Sequence, residues 1–382
     1  MPLLPSQRHL FDIPDEIAYF NCASSSPQLK ESENRLQAGV RSKNHPWART
    51  TQSYFDDAET IRRLAAEIFG GDADGYAVVP AASYGLSTVA RAVEPHLLAG
   101  DRILVIAEEF PSLVLPWRRT AQQTGAVLVT VPTPEDGDWT RTILDHIDSS
   151  IKVVAISSCH WMNGAYIDLH SISKACREAG SILVVDATQT LGAMPFHIAD
   201  IRPDFLVAAG YKWLLCPYGF GLLYLSERWR DARPLEETWL ARRNAEDFTA
   251  LTKYTDTYMP GARRFDVGEK CTATILPGAV AALEQIQKWG VENIAASLSS
   301  INARIAAHLA QLGCRLPAKT QRCPHMFGAQ LPETCTVDLV AKLKTMNIHI
   351  SQRGKSLRFA PHLHVNEHDV ERLIVASGEL IG

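Results

Sequence analysis

The stretch VVDATQTLGAMPFHIADIRPDFLVAAGYKWLLCPYGFGLLYLSERW, residues 184–229, decides how this chain folds. It opens on an apolar run that ends in an acid, Val184-Val185-Asp186. A second run, Phe205-Leu206-Val207-Ala208-Ala209, leads through Gly210 and Tyr211 to Lys212. Apolar runs this short, bounded by turn residues, read as strands buried on both faces. Both charges therefore stand where a buried sheet stops and the chain turns. Lys212, Pro217, Gly219 and Gly221 break the apolar span 205–225, so it reads as core strands and a turn, not a membrane span.

The same alternation extends outward. Tyr76-Ala77-Val78-Val79, Arg102–Ile106 and residues 126–131, 153–157 and 182–185 are further apolar runs of strand length. Asp56 and Asp57 precede Ile61, Leu64, Ala65, Ile68 and Phe69 at helical spacing, and Gly70-Gly71 follow. This predicts a capped amphipathic helix. Another helix is expected over about 86–93, after the small-residue turn 80–85. Strands that alternate with helices imply an α/β fold, a large domain with a mostly parallel sheet flanked by helices.

After about Pro260 the pattern changes. Residues 277–289 and 301–312 read as helices, and 367–377 as a closing helix. His349-Ile350-Ser351 and Ser356–Phe359 read as short strands. A smaller C-terminal α+β domain is expected, with its boundary near residues 265–290. The division is residues 1–20 as a segment packing with the small domain, 21–275 as the large domain and 276–382 as the small one.

The bulk composition excludes several classes. The chain has 382 residues, 46% hydrophobic and 21% charged, with a net charge of −4. No basic surface is advertised, so neither nucleic acid nor a membrane is expected as a partner. The eight cysteines are scattered without a C-x-x-C pair. Reduced thiols and a cytoplasmic setting are the expectation. Met1-Pro2-Leu3-Leu4-Pro5 lacks a charged region leading into an apolar core, so no signal peptide is expected.

Asp186 and Lys212 each have a plain explanation. An Asp after a strand is often a helix cap, and a Lys at a strand end can run its ammonium out to water. Together they fit a specific chemistry. Pyridoxal phosphate (PLP) needs a lysine for a Schiff base and a carboxylate that keeps its pyridine nitrogen protonated. Burial beside Tyr211 and Trp213 would lower the lysine pKa and free its amine to attack a carbonyl.

The segment carrying Asp186, Gln189, Gly192, Pro195, Asp204, Phe205, Lys212, Trp213, Pro217, Gly219, Gly221 and Leu223 resembles the cofactor-lysine region of the class V aminotransferases. These are PLP enzymes of fold type I that include cysteine desulfurases, kynureninases and isopenicillin N epimerase-like enzymes. The resemblance covers nearly the whole chain, and it implies roles. Lys212 would form the Schiff base and move the substrate Cα proton, and Asp186 would pair with the ring nitrogen. Gln189 would bond near the ring hydroxyl and Phe110 would stack on the ring. The turn Ala82-Ser83-Tyr84 would hold the phosphate at a helix N-terminus. Arg358 would grip the substrate α-carboxylate, and Asn21 would line the substrate side.

The chain also departs from its relatives. Tyr211 stands where many carry His, with a hydroxyl that could reach the phosphate, and Ala209 replaces a common Ser. Glu269 follows Gly268 where relatives place a phosphate contact for the neighbouring subunit; Thr272 is the expected substitute. Between Met346 and Arg358 there is no cysteine, and the nearest is Cys335 upstream, which argues against a persulfide-forming desulfurase. His362, His364 and His368 imitate a metal cluster, but the stretch matches the family's entry into its last helix, and no metal is expected.

The resulting expectation is a cytoplasmic homodimeric PLP enzyme with active sites at the subunit interface. Its substrate would be an amino acid or related primary amine, and transamination is the leading reaction. A PLP-dependent lyase (C–S or Cβ–Cγ) or an epimerase is the alternative. A non-catalytic α/β binding protein is the alternative of another class.

Overall fold

The computed structural model describes residues 2–382; Met1 lies outside them. The N-terminal segment contributes one short strand, β1 (Ala18–Tyr19). A seven-stranded sheet is then built from β2 (Tyr76–Val79), β3 (Arg102–Ile106), β4 (Val127–Val131), β5 (Ile151–Ser157), β6 (Ile182–Asp186), β7 (Phe205–Ala209) and β8 (Gly221–Leu225). Their spatial order is β2-β8-β7-β6-β5-β3-β4. Every neighbouring pair is parallel except those of β8, which runs antiparallel to both β2 and β7. The expected α/β architecture with a mostly parallel sheet is what forms.

The helices of this part are α1 (Lys30–Ser42), α2 (Asp56–Phe69), α3 (Ala82–Val93), α4 (Pro111–Thr124), α5 (Trp139–Leu144), α6 (Leu169–Ala179), α7 (Ile198–Ile201) and α8 (Leu276–Trp289). They cover the sheet according to residue parity. Val78, Leu104, Val154, Leu183, Leu206 and Leu222 pack on one side with Ile61 and Leu64 of α2, Ile172 of α6 and Leu283 of α8. Val79, Ile103, Val153, Val184, Val207 and Leu223 pack on the other side beneath Leu86 and Val89 of α3 and Trp117 of α4. Both parities are apolar because both faces are buried, which is why these strands read as unbroken apolar runs. Each such side chain contributes about 1.5–3 kcal/mol of burial.

α2 carries Asp56, Asp57 and Glu59 in its first turn, where the helix dipole favours acids, and stops at Gly70 with φ of 80°. α9 (Val291–Gln311) begins one residue after Gly290, ten residues before the expected start at 301. Its first turns bury Val291, Ile294 and Leu298 in the large-domain core. Its last turns bury Ile305, Ala306 and Leu309 in a second, smaller core. The division expected after residue 275 falls at the start of α8, a helix whose buried face belongs with the large-domain core.

The smaller core is closed by β9 (Phe327–Ala329), α10 (Leu339–Thr345), β10 (Ile348–His349), β11 (Ser351–Arg353), β12 (Ser356–Phe359) and α11 (Glu367–Ile381). β11, β12 and β9 form an antiparallel sheet, and β1 pairs in parallel with β10, which ties the N-terminal segment to this part. Asn366 and Asp369 cap α11 reciprocally. No described helix is long and apolar enough to cross a membrane.

Candidate active site

The strands β2, β7, β6, β5 and β3 all end on one edge of the sheet, and a cavity of about 240 Å³ opens there. Its place follows from connectivity. From β5 the chain steps one way to β6 and β7, while β4 lies beyond β3 on the other side, so the direction reverses between β3 and β5. Loops diverge at such a reversal and leave a crevice at the strand carboxyl ends. Glu109 and Phe110 after β3, Ser157 at the end of β5, Asp186 at the end of β6 and Lys212 after β7 all line it.

Lys212 reaches the cavity through a tight turn. Gly210 accepts from Cys216 N–H at 3.0 Å and donates to Phe220 O at 2.9 Å. A Cβ at Gly210 would stand 2.5 Å from the Phe220 ring, so only glycine fits. The ammonium then sits 5.6 Å from the Phe110 ring centroid and 5.7 Å from that of Tyr211. Among the described residues no carboxylate lies within ion-pair distance of it. Burial lowers its pKa to about 8, against the opposing pull of Asp186 and with help from Arg358 and Arg353.

Asp186 is buried at the other end of the same space. Burial raises its pKa, and Thr188 and Lys212 offset this only in part. Thr188 N–H donates to Asp186 Oδ1 at 2.9 Å, and Thr188 Oγ1 accepts from Ala209 N–H at 3.0 Å. That contact links the ends of β6 and β7. Gln189 lines the cavity with its amide held between Ala23 O (3.1 Å) and Trp213 Nε1 (2.9 Å). That leaves one N–H of its Nε2 without an acceptor among the described residues.

Two further groups on this wall were not assigned from sequence. Glu109 accepts from Phe110 N–H at 2.7 Å and from Ser157 Oγ–H at 2.7 Å. Burial pushes its pKa up to about 7 against these donors. It thereby pins the loop that aims Phe110. Trp161 meets Phe110 edge-on, with centroids 5.5 Å apart, and donates to Glu108 O at 2.8 Å. The acid directly before Phe110 was visible in the sequence; only its burial separates it from Glu108.

The turn expected to hold the phosphate is the start of α3. Ala82 and Ser83 line the cavity. The first intrahelical bond is Gly85 N–H to Ala81 O, and no side chain caps the amides before it. Free amides at the positive end of a helix form an anion site. Tyr84, also expected at the phosphate, does not line the cavity, and its hydroxyl faces Glu236. Tyr211 lines the cavity and stacks on Tyr218 at 4.0 Å between centroids. Thr272 does not line the cavity of its own chain.

Arg358, expected on the substrate side, does not itself line the cavity and is almost fully buried at 1% exposure. It donates to Ser351 Oγ (3.2 Å), Trp161 O (2.7 Å) and Ser24 Oγ (2.7 Å). Burial, and then the charge of Arg353, lowers its pKa to about 10. Asn21 does not line the cavity as expected; its Oδ1 accepts from the Ser24 hydroxyl at 2.8 Å. His362 and His364 lie elsewhere, buried against Trp213, Trp289 and Tyr19. Among the described residues no group of three or more His, Cys, Asp or Glu is arranged to hold a metal. Cys335 neighbours Cys314 in the small domain, and the thiol on the cavity wall is Cys159, which is fully buried.

The sequence model of the family "Aminotransferase class-V" matches residues 27–376. A probable cysteine desulfurase of Pyrococcus abyssi is 27% identical over 293 residues, 74% of this chain and 71% of that protein. The uncharacterized aminotransferase YcbU of Bacillus subtilis is 24% identical over 345 residues, 86% of this chain and 89% of that protein. Among solved structures, the apo cysteine desulfurase of Thermococcus onnurineus matches with a TM-score of 0.85 at 20% identity, over 100% of this chain and 99% of that one. The cystine C–S lyase C-DES in complex with cysteine persulfide matches with a TM-score of 0.86 at 19% identity, over 96% and 99%.

Proposed function

Because this chain belongs to the aminotransferase class-V family, we propose that it is a PLP-dependent enzyme that transaminates an α-amino acid or related primary amine. The observation that carries this reading is the isolated Lys212 amine. It is buried without a counter-ion, its pKa is lowered to about 8, and it shares one cavity with the buried carboxylate of Asp186. The residues present fit the cofactor. Free amides at Ala82 and Ser83 suit its phosphate, Phe110 suits its ring face, and Gln189 keeps one N–H for its ring oxygen. When bound, PLP supplies an electron sink for charge developing at the substrate Cα.

The rest is done by the chain. Lys212, uncharged in an appreciable fraction near pH 8, would hold the cofactor through its amine and would accept and return the substrate Cα proton. Asp186 would pair with the ring nitrogen of the bound cofactor, and Thr188 N–H keeps its carboxylate oriented. Arg358 holds the substrate carboxylate so that the Cα–H bond faces Lys212. Transamination moves a proton between two carbons on one face and requires only this one base. Among the cavity groups named above, Glu109 is tied to Phe110 and Ser157 and is not free to serve as a second. A persulfide route is disfavoured by the positions of Cys335 and Cys159. We read the active unit as a homodimer in which Thr272 serves the neighbouring site.

The test is direct. Protein reconstituted with PLP should show a visible absorption band and, after borohydride reduction, a cofactor adduct on Lys212 by mass spectrometry. An amino-acid panel should then turn over only when a 2-keto acid is supplied. Pyruvate and sulfide released from cysteine or cystine without a keto acid would favour the second reading, a C–S lyase. That reading is supported by the cystine lyase among the structural neighbours.

A further inference from the structure

Arg358 has a companion. The hairpin of β11 and β12 pairs Ser351 with Arg358 and Arg353 with Ser356, so these four side chains share one face. Arg353 Nη2 donates to Ser24 Oγ at 3.1 Å, and Arg358 Nη2 donates to the same oxygen at 2.7 Å. Two guanidinium forks therefore stand side by side at one hydroxyl. Neither has a carboxylate within ion-pair distance among the described residues, and both are close enough to Lys212 to act on its charge. The three basic groups are thus near enough for their charges to interact, while the acids that line the cavity beside Lys212 are Asp186 and a Glu109 held by its own donors.

The donors still free are informative. Arg358 spends one N–H from each of its three nitrogens, so each terminal nitrogen keeps one. That remaining pair suits one carboxylate in bidentate fashion. Arg353 spends one N–H of Nη1 on Gln352 O and one of Nη2 on Ser24. Its Nε–H and a further N–H on each terminal nitrogen have no acceptor. Arg358 alone completes an α-carboxylate clamp, and Arg353 then remains as an unfilled fork beside it.

We infer that Arg353 is a specificity-determining residue that binds a second acidic group, so that the substrate is an α-amino acid with an anionic side chain, or the matching 2-keto diacid. The inference rests on the PLP reading of the site. Its physical basis is that two adjacent guanidiniums repel each other until anions arrive, and one carboxylate engages one fork fully. A side-chain acid relieves the second.

The experiment uses PLP-loaded protein and follows the visible band on titration with L-aspartate and L-glutamate, and with their uncharged-side-chain counterparts L-2-aminobutyrate and L-norvaline. Wild type should bind the better diacid at least about tenfold tighter than its counterpart. Arg353→Gln should remove that preference and leave binding of the counterparts within about twofold. Arg353→Lys should keep part of it, and Arg358→Gln should weaken all four ligands. If Arg353→Gln weakens diacids and counterparts equally, the two arginines grip a single carboxylate and the inference fails. If wild type does not prefer diacids, it fails as well. Absence of any band would overturn the PLP reading itself, which is a separate result.

Discussion

Two buried acid–lysine sets lie in this molecule, and they are built in opposite ways. Asp266 stands with Lys270 and Arg62, all at 2% exposure or less. Lys270 Nζ meets Asp266 Oδ2 at 2.6 Å, Arg62 pairs with the same carboxylate, and Val78 N–H donates to it at 2.8 Å. Burial alone would raise the Asp266 pKa, yet Arg62 and Lys270 hold it below the usual range. Asp186 and Lys212 are buried too, but they do not touch. Desolvation wins at both, raising the acid and lowering the lysine. A buried charge that is fully partnered is committed to the fold. One that is left unpartnered is available for a ligand.

Removing Lys212 should have the largest effect. Lys212→Ala should abolish the visible band and cut turnover by at least about 10⁴-fold, since it removes both attachment and base. The cofactor-free variant should be no less stable than wild type. Lys212 has a folded pKa of about 8 against 10.5 unfolded. Below pH 8 it is charged in both states, and the full cost of burying it, roughly 3 kcal/mol, is present at neutral pH. Urea unfolding of both cofactor-free proteins at pH 7 checks this. A clear destabilisation would mean that Lys212 is as structural as Lys270.

The partnered set should behave in reverse. Asp266→Ala leaves Arg62 and Lys270 buried without their acid and should cost about 3–5 kcal/mol. Asp186→Ala should abolish turnover while lowering the stability of cofactor-free protein by under about 1 kcal/mol, because it deletes an under-partnered charge. Denaturant midpoints of the two variants side by side test the comparison directly. Equal losses would erase it.

A third buried group sharpens the contrast through pH. His325, His362 and His364 are held neutral by burial, with pKa values of about 4, 3 and 4 against 6.5 unfolded. Between those values the unfolded chain binds more protons, so stability rises with pH. It should be intact above about pH 6.5 and be lost progressively as pH falls toward 4, by up to about 1.4 kcal/mol per pH unit for each group. His362→Phe should flatten that dependence in thermal unfolding scans. The smallest effect belongs to Phe110→Leu, which should keep the Lys212 adduct and weaken PLP retention by about 0.5–1.5 kcal/mol, read from the cofactor dissociation constant.

Much of the candidate site was legible because its signals are local. Asp186 ends a strand and Lys212, Ser83 and Phe110 each follow one, and strand ends are written in the sequence as apolar runs meeting a turn. Arg358 was legible by resemblance alone. Thr188 and Glu109 were present in the same motifs, and nothing in their spacing said that they would be buried or whom they would meet. Glu108 and Glu109 are adjacent acids, and packing alone made one of them a cavity wall. Arg353 was silent for a similar reason. Its partner oxygen belongs to Ser24, at the far end of the chain, and only the closure of β1 onto β10 brings the two together.

The sequence by itself determined the layers and the chemistry at each strand end. Apolar periodicity reports burial of both sheet faces, and turn residues report where strands stop. It could not determine pairing between charges, because Asp266 with Lys270 and Asp186 with Lys212 are both simply an acid and a lysine in an apolar setting. Distance and desolvation separate a structural ion pair from a poised site. Both are set by how β6, β7 and the small-domain hairpin come together in three dimensions.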